Sequence, residues 1–270
     1  MTPALNPRRT PSPSPASRLE RHRLSLDDGL GTTLHVARYP RDRAGASLVA
    51  FPRPRRLVEW CRENQVRHAI VAGFFVRPEG RPLGELRVDG VARDHEPFAP
   101  PWGGRRGCVA VQEGRVEIAL RPALPSAPAG DLLEAGPILV RNGRSVVDGV
   151  EDPEGFSSHS EQFDSDITNG RYPRAALGTS GRELIVVACE GRAAEEAGLT
   201  LSELARALVQ LGSDRAINLD GGGSTSLIFG GILRNCPREE HGVRIAGGRP
   251  VATALAFFPS LSARRSATLR

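Results

Sequence analysis

Residues 198–227 have the sequence GLTLSELARALVQLGSDRAINLDGGGSTSL, and this stretch carries the clearest structural signal in the chain. Thr200 and Glu203 have the spacing of a helix-capping box, in which each side chain binds the backbone N–H of the other residue. Apolar residues then recur at helical spacing, at Leu201, Leu204, Ala205, Leu208 and Leu211. The pattern predicts an amphipathic helix that ends at Gly212.

A strand is predicted on each side of this helix. Residues 183–189 and 215–219 are short apolar runs that contain β-branched side chains. Strand, helix and strand at this spacing predict a βαβ unit, with the two strands as parallel neighbours joined by a right-handed crossover. We therefore expect a single α+β (mixed α/β) domain with mixed β-sheets, whose C-terminal βαβ unit carries the loop Asp220-Gly221-Gly222-Gly223-Ser224.

The rest of the chain divides into a folded region and two tails. Residues 1–23 are rich in Pro, Ser and Arg and have little apolar surface to bury, so we expect a disordered tail. Residues 24–260 are predicted to form the domain, and residues 261–270 a flexible C-terminal tail. A short helix is predicted at residues 54–64. Further strands are predicted at residues 32–37, 68–72, 85–88, 108–111, 116–120, 135–140, 225–229 and 251–258, with a tight turn at Asn142-Gly143.

The composition limits the classes of chemistry. The chain contains no lysine, so its 36 basic residues are all arginine, which indicates a GC-rich bacterial gene. The absence of lysine excludes Schiff-base catalysis, and anion recognition must come from arginine, backbone amides or helix N-termini. The net charge is +5, but the arginines are scattered and aromatic residues make up only 5%, so we expect no nucleic-acid partner.

The cysteines and the apolar runs indicate the compartment. Cys61, Cys108, Cys189 and Cys236 lack the spacing of zinc ligands, so we expect buried, reduced thiols. No run approaches 18 apolar residues, and the N-terminal segment has no apolar signal region. The sequence as written predicts a cytoplasmic chain without a membrane span, with export possible if the N-terminus is mis-assigned.

The loop after residues 215–219 is the main candidate site. Asp220 follows the strand directly, at the kind of sheet edge where parallel sheets bind ligands. The three glycines 221–223 have a backbone entropy cost, which is tolerated where the chain needs positive φ or a ligand approaches the backbone. Their amides, with the hydroxyls of Ser224 and Thr225, can form an anion-binding nest. A tight turn capped by Asp220 explains three glycines equally well.

Residues 198–227 as a whole closely resemble the phosphodiester glycosidase family. Other segments resemble the family in the same order along the chain: Gly73-Phe74-Phe75, Gly136-Pro137-Ile138-Leu139-Val140, Pro173-Arg174-Ala175-Ala176-Leu177-Gly178, Glu190-Gly191-Arg192 and Arg249-Pro250-Val251. The resemblance covers residues 69–258 and is strongest in the last third of the chain. It implies a hydrolase that releases a sugar from a sugar-1-phosphate diester.

The chain departs from the family pattern at three places. The family usually has Asn-Gly-Gly before the two phenylalanines, whereas this chain has Val71-Ala72-Gly73 and so lacks an amide side chain. Glu190 stands where an Asp is usual, and Thr253 where an Asn is usual. The first departure leaves open a second interpretation, a non-catalytic carbohydrate or sugar-phosphate binding protein on the same fold.

Cleavage of a sugar from a phosphodiester releases a phosphate monoester, which is a good leaving group. The site then needs groups that hold the phosphate and a carboxylate near the anomeric carbon. We predict Asp220 as the catalytic carboxylate and Glu190 as its partner, with capping or arginine pairing as the alternative role of Glu190. Arg174 is the predicted phosphate clamp, with anchoring of the preceding loop as its alternative. The predicted substrate-binding residues are Arg174, Asn218, Gly221, Gly222, Gly223, Ser224, Thr225 and Arg249.

Two further predictions concern polar residues near this loop. Asn218 faces the same side of an extended strand as Asp220 and can bind a sugar hydroxyl or satisfy a buried backbone group. The polar segment 148–172 is long enough to be functional and contains His159, Asp164 and Asp166. Its spacing does not match a calcium-binding loop, so we predict no required metal and no cofactor. A phosphodiesterase that cuts the P–O bond is a weaker alternative, because the expected His/Asp metal cluster is absent from the sequence.

Overall fold

The computed structural model describes residues 17–147, 154–156 and 170–259. These residues form three β-sheets and two α-helices. The strands are β1 (Arg18–Ser25), β2 (Gly31–Pro40), β3 (Ala44–Arg56), β4 (His68–Val71), β5 (Leu86–Val88), β6 (Val91–Ala92), β7 (Gly107–Gln112), β8 (Arg115–Leu120), β9 (Asp131–Glu134), β10 (Ile138–Arg141), β11 (Arg144–Ser145), β12 (Arg174–Thr179), β13 (Glu183–Cys189), β14 (Arg215–Leu219), β15 (Leu227–Phe229), β16 (Ile232–Leu233) and β17 (Pro250–Pro259). The helices are α1 (Leu57–Glu63) and α2 (Leu201–Gln210).

The first sheet has seven strands in the order β1-β2-β13-β12-β14-β10-β11. Its strand pairs are antiparallel, and β12 pairs with both β13 and β14. The predicted βαβ unit with parallel neighbouring strands is therefore wrong, and the domain is mainly β instead of α+β. The physical reason is that β12 forms a hairpin with β13 through a short turn and occupies the place beside β14. The strands β13 and β14 still run in the same direction, because each is antiparallel to β12.

The other two sheets have five strands each, in the orders β16-β15-β4-β17-β3 and β6-β5-β9-β7-β8. One large apolar core joins all three sheets, with Ile217 from the first, Leu255 from the second and Val109 from the third. A second core lies on the opposite face of the first sheet, where Leu204 and Leu208 of α2 pack. Both faces of the first sheet are thus covered, which explains why its central strands are continuous apolar runs.

Several local predictions are confirmed. Both hydrogen bonds of the capping box between Thr200 and Glu203 are present at the start of α2. Asn142 and Gly143 join β10 to β11, and both have positive φ, as a two-residue hairpin turn requires.

The helix predicted at residues 54–64 begins only at Leu57, because β3 continues to Arg56. This strand tolerates its prolines because it lies at the edge of its sheet.

The N-terminal boundary of the domain differs from the prediction. Strand β1 begins at Arg18, inside the predicted tail, and pairs with β2 along all of its 8 residues. Most of its side chains are charged, and Glu20 binds both Arg18 and Arg38, while Leu19 and Leu24 pack against the cores on opposite faces of the sheet. A search for apolar patterning cannot detect such a strand. Residues 1–16 and 260–270 lie outside the described part of the chain.

The cysteines are free thiols, as predicted, and Cys61, Cys108 and Cys189 are buried. Burial raises the pKa of the Cys61 and Cys189 thiols to about 12, so both are protonated at neutral pH. Within the described ranges, no helix has the length and apolar character needed to cross a membrane.

Candidate active site

One end of the seven-stranded sheet brings together three residues of the predicted site. Arg174 is the first residue of β12, while Glu190 follows β13 and Asp220 follows β14. Because β12 lies between the other two strands and runs against them, its start meets their ends. The predicted residues are therefore gathered by an antiparallel arrangement and not by the expected parallel one.

The glycine loop forms a single 3₁₀ turn over Gly222–Ser224. Gly222 has a φ of 56°, which is the left-handed region that favours glycine. Its N–H donates to the carbonyl of Pro173 at 2.8 Å, and the N–H of Ser224 donates to Gly221 at 3.1 Å. Among the described residues, the amides of Gly221 and Gly223 have no hydrogen-bond partner. The predicted anion nest is thus narrowed to these two N–H groups.

Each of the three glycines packs against a different arginine. A β-carbon would lie 3.9 Å from Cδ of Arg174 at Gly221, 3.4 Å from Nη1 of Arg192 at Gly222, and 2.8 Å from Nη2 of Arg249 at Gly223. A side chain at Gly223 would displace Arg249, whereas at Gly221 the close contact is the carbonyl oxygen of Pro173, at 2.8 Å. The absence of side chains at 222 and 223 therefore leaves room for Arg192 and Arg249 beside this stretch of backbone.

Arg174 lies beneath the turn, with 3% of its surface exposed. Its Nε donates to the carbonyl of Leu199 at 3.0 Å and its Nη2 donates to the carbonyl of Gly170 at 3.3 Å. These contacts match the alternative role of Arg174, which is to anchor the preceding loop. The anchoring is made through backbone carbonyl oxygens and not through salt bridges to carboxylates. They do not leave Arg174 in the open position expected of a phosphate clamp.

Arg192 is the arginine at this turn that the predicted site did not include. It is half-buried, and its Nη1 donates to the carbonyl of Arg238 at 3.3 Å. The ring of Tyr172 lies 5.5 Å from the guanidinium carbons of both Arg192 and Arg174. One signal could have identified Arg192: it comes just after β13, as Asp220 comes just after β14, and within the family-like segment Glu190-Gly191-Arg192.

Glu190 lies inside the protein, with 8% of its surface exposed. Its carboxylate lies 3.0 Å from Nε2 of His35 and accepts hydrogen bonds from the N–H of Cys236 at 2.9 Å and from Nη1 of Arg238 at 3.4 Å. These contacts match the alternative role of capping and arginine pairing. The arrangement does not favour Glu190 as the partner of Asp220.

Glu239 is a second carboxylate at the glycine turn. It forms a two-point ion pair with Arg249, in which Nε donates to Oε1 at 2.7 Å and Nη2 donates to Oε2. The hydrogen bond from Arg249 lowers the pKa of Glu239, so the carboxylate is ionised at neutral pH. A β-carbon at Gly223 would lie 3.0 Å from its carboxyl carbon. No local pattern in the sequence marked this residue, because only the tertiary fold brings it to the turn.

The remaining predicted polar residues point into the protein. The Nδ2 of Asn218 donates to the carbonyl of Gly136 at 3.0 Å, which is the backbone-satisfying alternative. The hydroxyls of Ser224 and Thr225 are buried and, within the described residues, have no hydrogen-bond partner. In this conformation these three side chains are not open to a substrate.

Two of the three departures from the family pattern, at the end of β4 and at Thr253 in β17, lie close to the backbone of Asp220. The N–H of Asp220 donates to the carbonyl of Ala72 at 2.9 Å, and Oγ1 of Thr253 accepts from the N–H of Gly73 at 2.8 Å. Val71, where the family usually has Asn, is fully buried. Val71 therefore comes one residue before Ala72, which accepts the N–H of Asp220, and the Val71 side chain packs in the apolar core.

His159, Asp164 and Asp166 lie outside the described residues. Within the described ranges, no group of three or more His, Cys, Asp and Glu side chains is arranged to hold a metal ion.

Comparison with known proteins identifies the family of this chain. The family model described as phosphodiester glycosidase matches residues 64–258. Mouse N-acetylglucosamine-1-phosphodiester alpha-N-acetylglucosaminidase is 30% identical over 177 residues, which are 64% of this chain and 34% of that protein. The chain thus spans about a third of the length of this curated relative.

Solved structures share the fold at low identity. The catalytic domain of zebrafish N-acetylglucosamine-1-phosphodiester alpha-N-acetylglucosaminidase, auto-inhibited by its pro-peptide, has a TM-score of 0.67 and 20% identity, covering 91% of this chain and 84% of that one. A putative exported protein from Burkholderia pseudomallei K96243 has a TM-score of 0.64 and 15% identity, covering 87% and 75%. A hypothetical protein from Synechocystis has a TM-score of 0.60 and 18% identity, covering 91% and 64%. Because the family model also matches more than half of the sequence, the chain belongs to the phosphodiester glycosidase family.

Proposed function

We propose that this chain hydrolyses a sugar-1-phosphate diester and releases the sugar. The observation that carries the proposal is the approach of three arginines to the glycine turn 221–223, which follows Asp220 directly. The mouse and zebrafish relatives are named for hydrolysis of an N-acetylglucosamine-1-phosphodiester, which supports the same class of substrate here.

The phosphate is held by Arg192 and the amides of Gly221 and Gly223. Arg192 is the half-buried guanidinium beside the turn, whereas Arg174 is buried beneath it. The charge of Arg249 is shared with Glu239, so Arg249 contributes less to binding an anion. Negative charge grows on the departing phosphate in the transition state, so the same groups that bind the substrate also accelerate its cleavage.

Asp220 acts at the anomeric carbon, where a carboxylate stabilises an oxocarbenium-like state or activates water. Glu239 is the second carboxylate of this arrangement. Its lowered pKa keeps it ionised, which suits a base or an electrostatic role and not a general acid. A phosphate monoester leaves readily as an anion, so the reaction does not require a strong acid.

A second candidate function is the binding of a sugar phosphate without turnover. The absence of the family's usual amide favours this alternative, because Val71 at that position is apolar and buried and offers no hydrogen bond to a substrate. The two functions share the phosphate-binding groups and differ only in the chemical step.

Hydrolysis of a panel of sugar-1-phosphate diesters in heavy-oxygen water tests the proposal. Label in the released sugar is expected for cleavage of the C–O bond, whereas label in phosphate would indicate a phosphodiesterase. Binding of a sugar phosphate by calorimetry without turnover of any diester, from well-folded protein, would favour the binding protein.

A further inference from the structure

A wide, open pocket of about 640 Å³ is lined in part by Arg192, the arginine that lies beside Gly222. Its ionisable lining consists of Arg171, Arg192, Arg238, Arg244, His241 and Glu196. The lining thus includes four guanidinium groups and one carboxylate. The other lining residues are alanines and a glycine, which leaves the arginines as its main recognition groups.

The positive charges differ in how far they are neutralised. Arg171 pairs with Asp28 and Glu203, and Arg238 pairs with Glu190. Arg244, in contrast, is exposed and makes no ion pair within the described residues. The pocket therefore presents an uncompensated guanidinium at Arg244, beside the neighbouring imidazole of His241.

The segment that carries Arg244 is held firmly against the candidate site. The N–H of Glu239 donates to the carbonyl of Val243 at 2.8 Å, and Arg238 bridges Arg244 in the same antiparallel turn. Gly242 packs so closely that a β-carbon there would lie 2.8 Å from the carbonyl oxygen of Arg192. One turn therefore presents Glu239 to the glycine loop and Arg244 to the pocket, with Arg192 between them.

We propose that this pocket binds a second anionic group, a phosphate or a carboxylate, on the alcohol portion of the diester. The proposal rests on the proposed function and specifies its substrate class. The diester phosphate occupies the glycine-turn side of Arg192, and the second anion occupies the side of Arg244. A hydroxyl group on the alcohol could accept only an ordinary hydrogen bond from Arg244, whereas an anion forms a stronger, charge-assisted hydrogen bond with it.

The reaction is otherwise the one already proposed. Water adds its oxygen to the anomeric carbon, and the bond from that carbon to the phosphate oxygen breaks. The sugar leaves, the excess proton passes to solvent, and the alcohol retains the phosphate and its second anion. This product can be imitated by simple compounds, so the pocket can be tested without turnover.

Calorimetry with the full chain compares three product analogues at one ionic strength: propyl phosphate, propane-1,3-diyl bisphosphate and 3-carboxypropyl phosphate. We expect the bisphosphate, the carboxylate compound or both to bind about tenfold more tightly than propyl phosphate. The relative affinities of the two doubly anionic compounds identify the second group. Arg244→Gln should abolish most of this advantage and leave the affinity for propyl phosphate unchanged.

Arg115→Gln is the matched control, since it removes the same charge at the opposite end of the molecule. Arg115 is exposed and lines a separate cavity together with Thr179. Thr179 is the last residue of β12, whereas Arg174, at the candidate site, is the first. Equal affinity of wild type for all three compounds would overturn the proposal. An advantage that survives Arg244→Gln, or that Arg115→Gln removes equally, would overturn it as well.

Three diesters, in which a sugar is joined through C1 to the phosphate of propyl phosphate or of one of its two doubly anionic analogues, separate this proposal from the hydrolase function. Turnover of all diesters with equal kcat/KM, together with equal affinities, overturns the pocket and leaves the hydrolase. Absence of turnover with the affinity difference intact overturns the hydrolase and supports the anion-binding pocket.

Discussion

The backbone N–H of Asp220 donates a hydrogen bond to the carbonyl oxygen of Ala72 at 2.9 Å. Asp220 follows β14 of the first sheet, and Ala72 follows β4 of the second. The N–H of Ala72 in turn donates to the carbonyl of Thr253 in β17 at 3.2 Å. The candidate carboxylate is therefore positioned by the contact between two sheets and not by its own loop alone.

Asp220→Asn should lower kcat by orders of magnitude while the affinity for a sugar phosphate stays within about tenfold. The substitution keeps the shape of the side chain and removes its charge. Steady-state kinetics and calorimetry measure the two effects. Asp214→Asn is the control, because Asp214 lies at the opposite end of β14 and binds the N–H of Gly181. Near-normal turnover of Asp220→Asn would show that another carboxylate, such as Glu239, carries the reaction.

Gly222→Ala should weaken binding of a sugar phosphate and also cost about 1 kcal/mol of unfolding free energy, because an L-residue is strained at positive φ. The added methyl group would also press on Arg192, 3.4 Å away. Gly212→Ala provides the matched strain, since Gly212 has a φ of 89° with no neighbouring atom within 4 Å of the new carbon. Both variants should lose stability in urea unfolding, and only Gly222→Ala should lose affinity. Equal affinities would show that the turn does not take part in binding.

Arg192→Ala and Arg174→Ala should have different signatures. Arg192→Ala is expected to weaken phosphate binding and slow the chemical step with little change in stability. Arg174→Ala should cost about 1–3 kcal/mol of unfolding free energy, because it removes a buried hydrogen bond to the carbonyl of Leu199 and a partly buried one to that of Gly170. Urea unfolding and kcat/KM of both variants decide the assignment. A stable Arg174→Ala variant that loses only substrate binding would show that Arg174, and not Arg192, binds the phosphate.

Glu20→Gln should destabilise the protein near neutral pH, and the effect should shrink as the pH falls. Burial raises the pKa of Glu20, but hydrogen bonds from Arg38, His22 and Arg18 outweigh it and lower the pKa to about 2. Because the folded pKa lies below the ordinary value of 4.5, the stabilisation is complete above pH 4.5 and is lost as the pH falls through about 2.

Urea unfolding at several pH values measures this effect. Partly exposed ion pairs contribute about 0.2–1 kcal/mol, so a difference of that size is expected near pH 6. Glu117→Gln is the control, since Glu117 is exposed and makes no ion pair within the described residues. A difference between wild type and Glu20→Gln that is equally large near pH 2 would contradict the role of the Glu20 carboxylate in holding β1.

Local structure could be predicted from the sequence wherever the signal is short-range. The capping box at Thr200, the strand Arg215–Leu219 and the turn at Asn142-Gly143 each depend on neighbouring residues, and each is present. Strand β1 could not be predicted in this way, because it has no apolar stripe and its charged residues pair with residues of β2 and β13, distant in sequence. The candidate carboxylate Asp220 was predicted from its place after the strand 215–219 and from the family resemblance of residues 198–227.

By itself, the sequence determined the helix α2, the strand β14 and the glycine turn that follows it, because helical periodicity, capping and φ preferences are properties of adjacent residues. Only the tertiary structure decided that β12 lies between β13 and β14, and that Arg192 and Glu239 meet at the turn. Strand partners are chosen by the total burial and hydrogen bonding of the whole sheet, and residues brought together from different strands leave no local pattern.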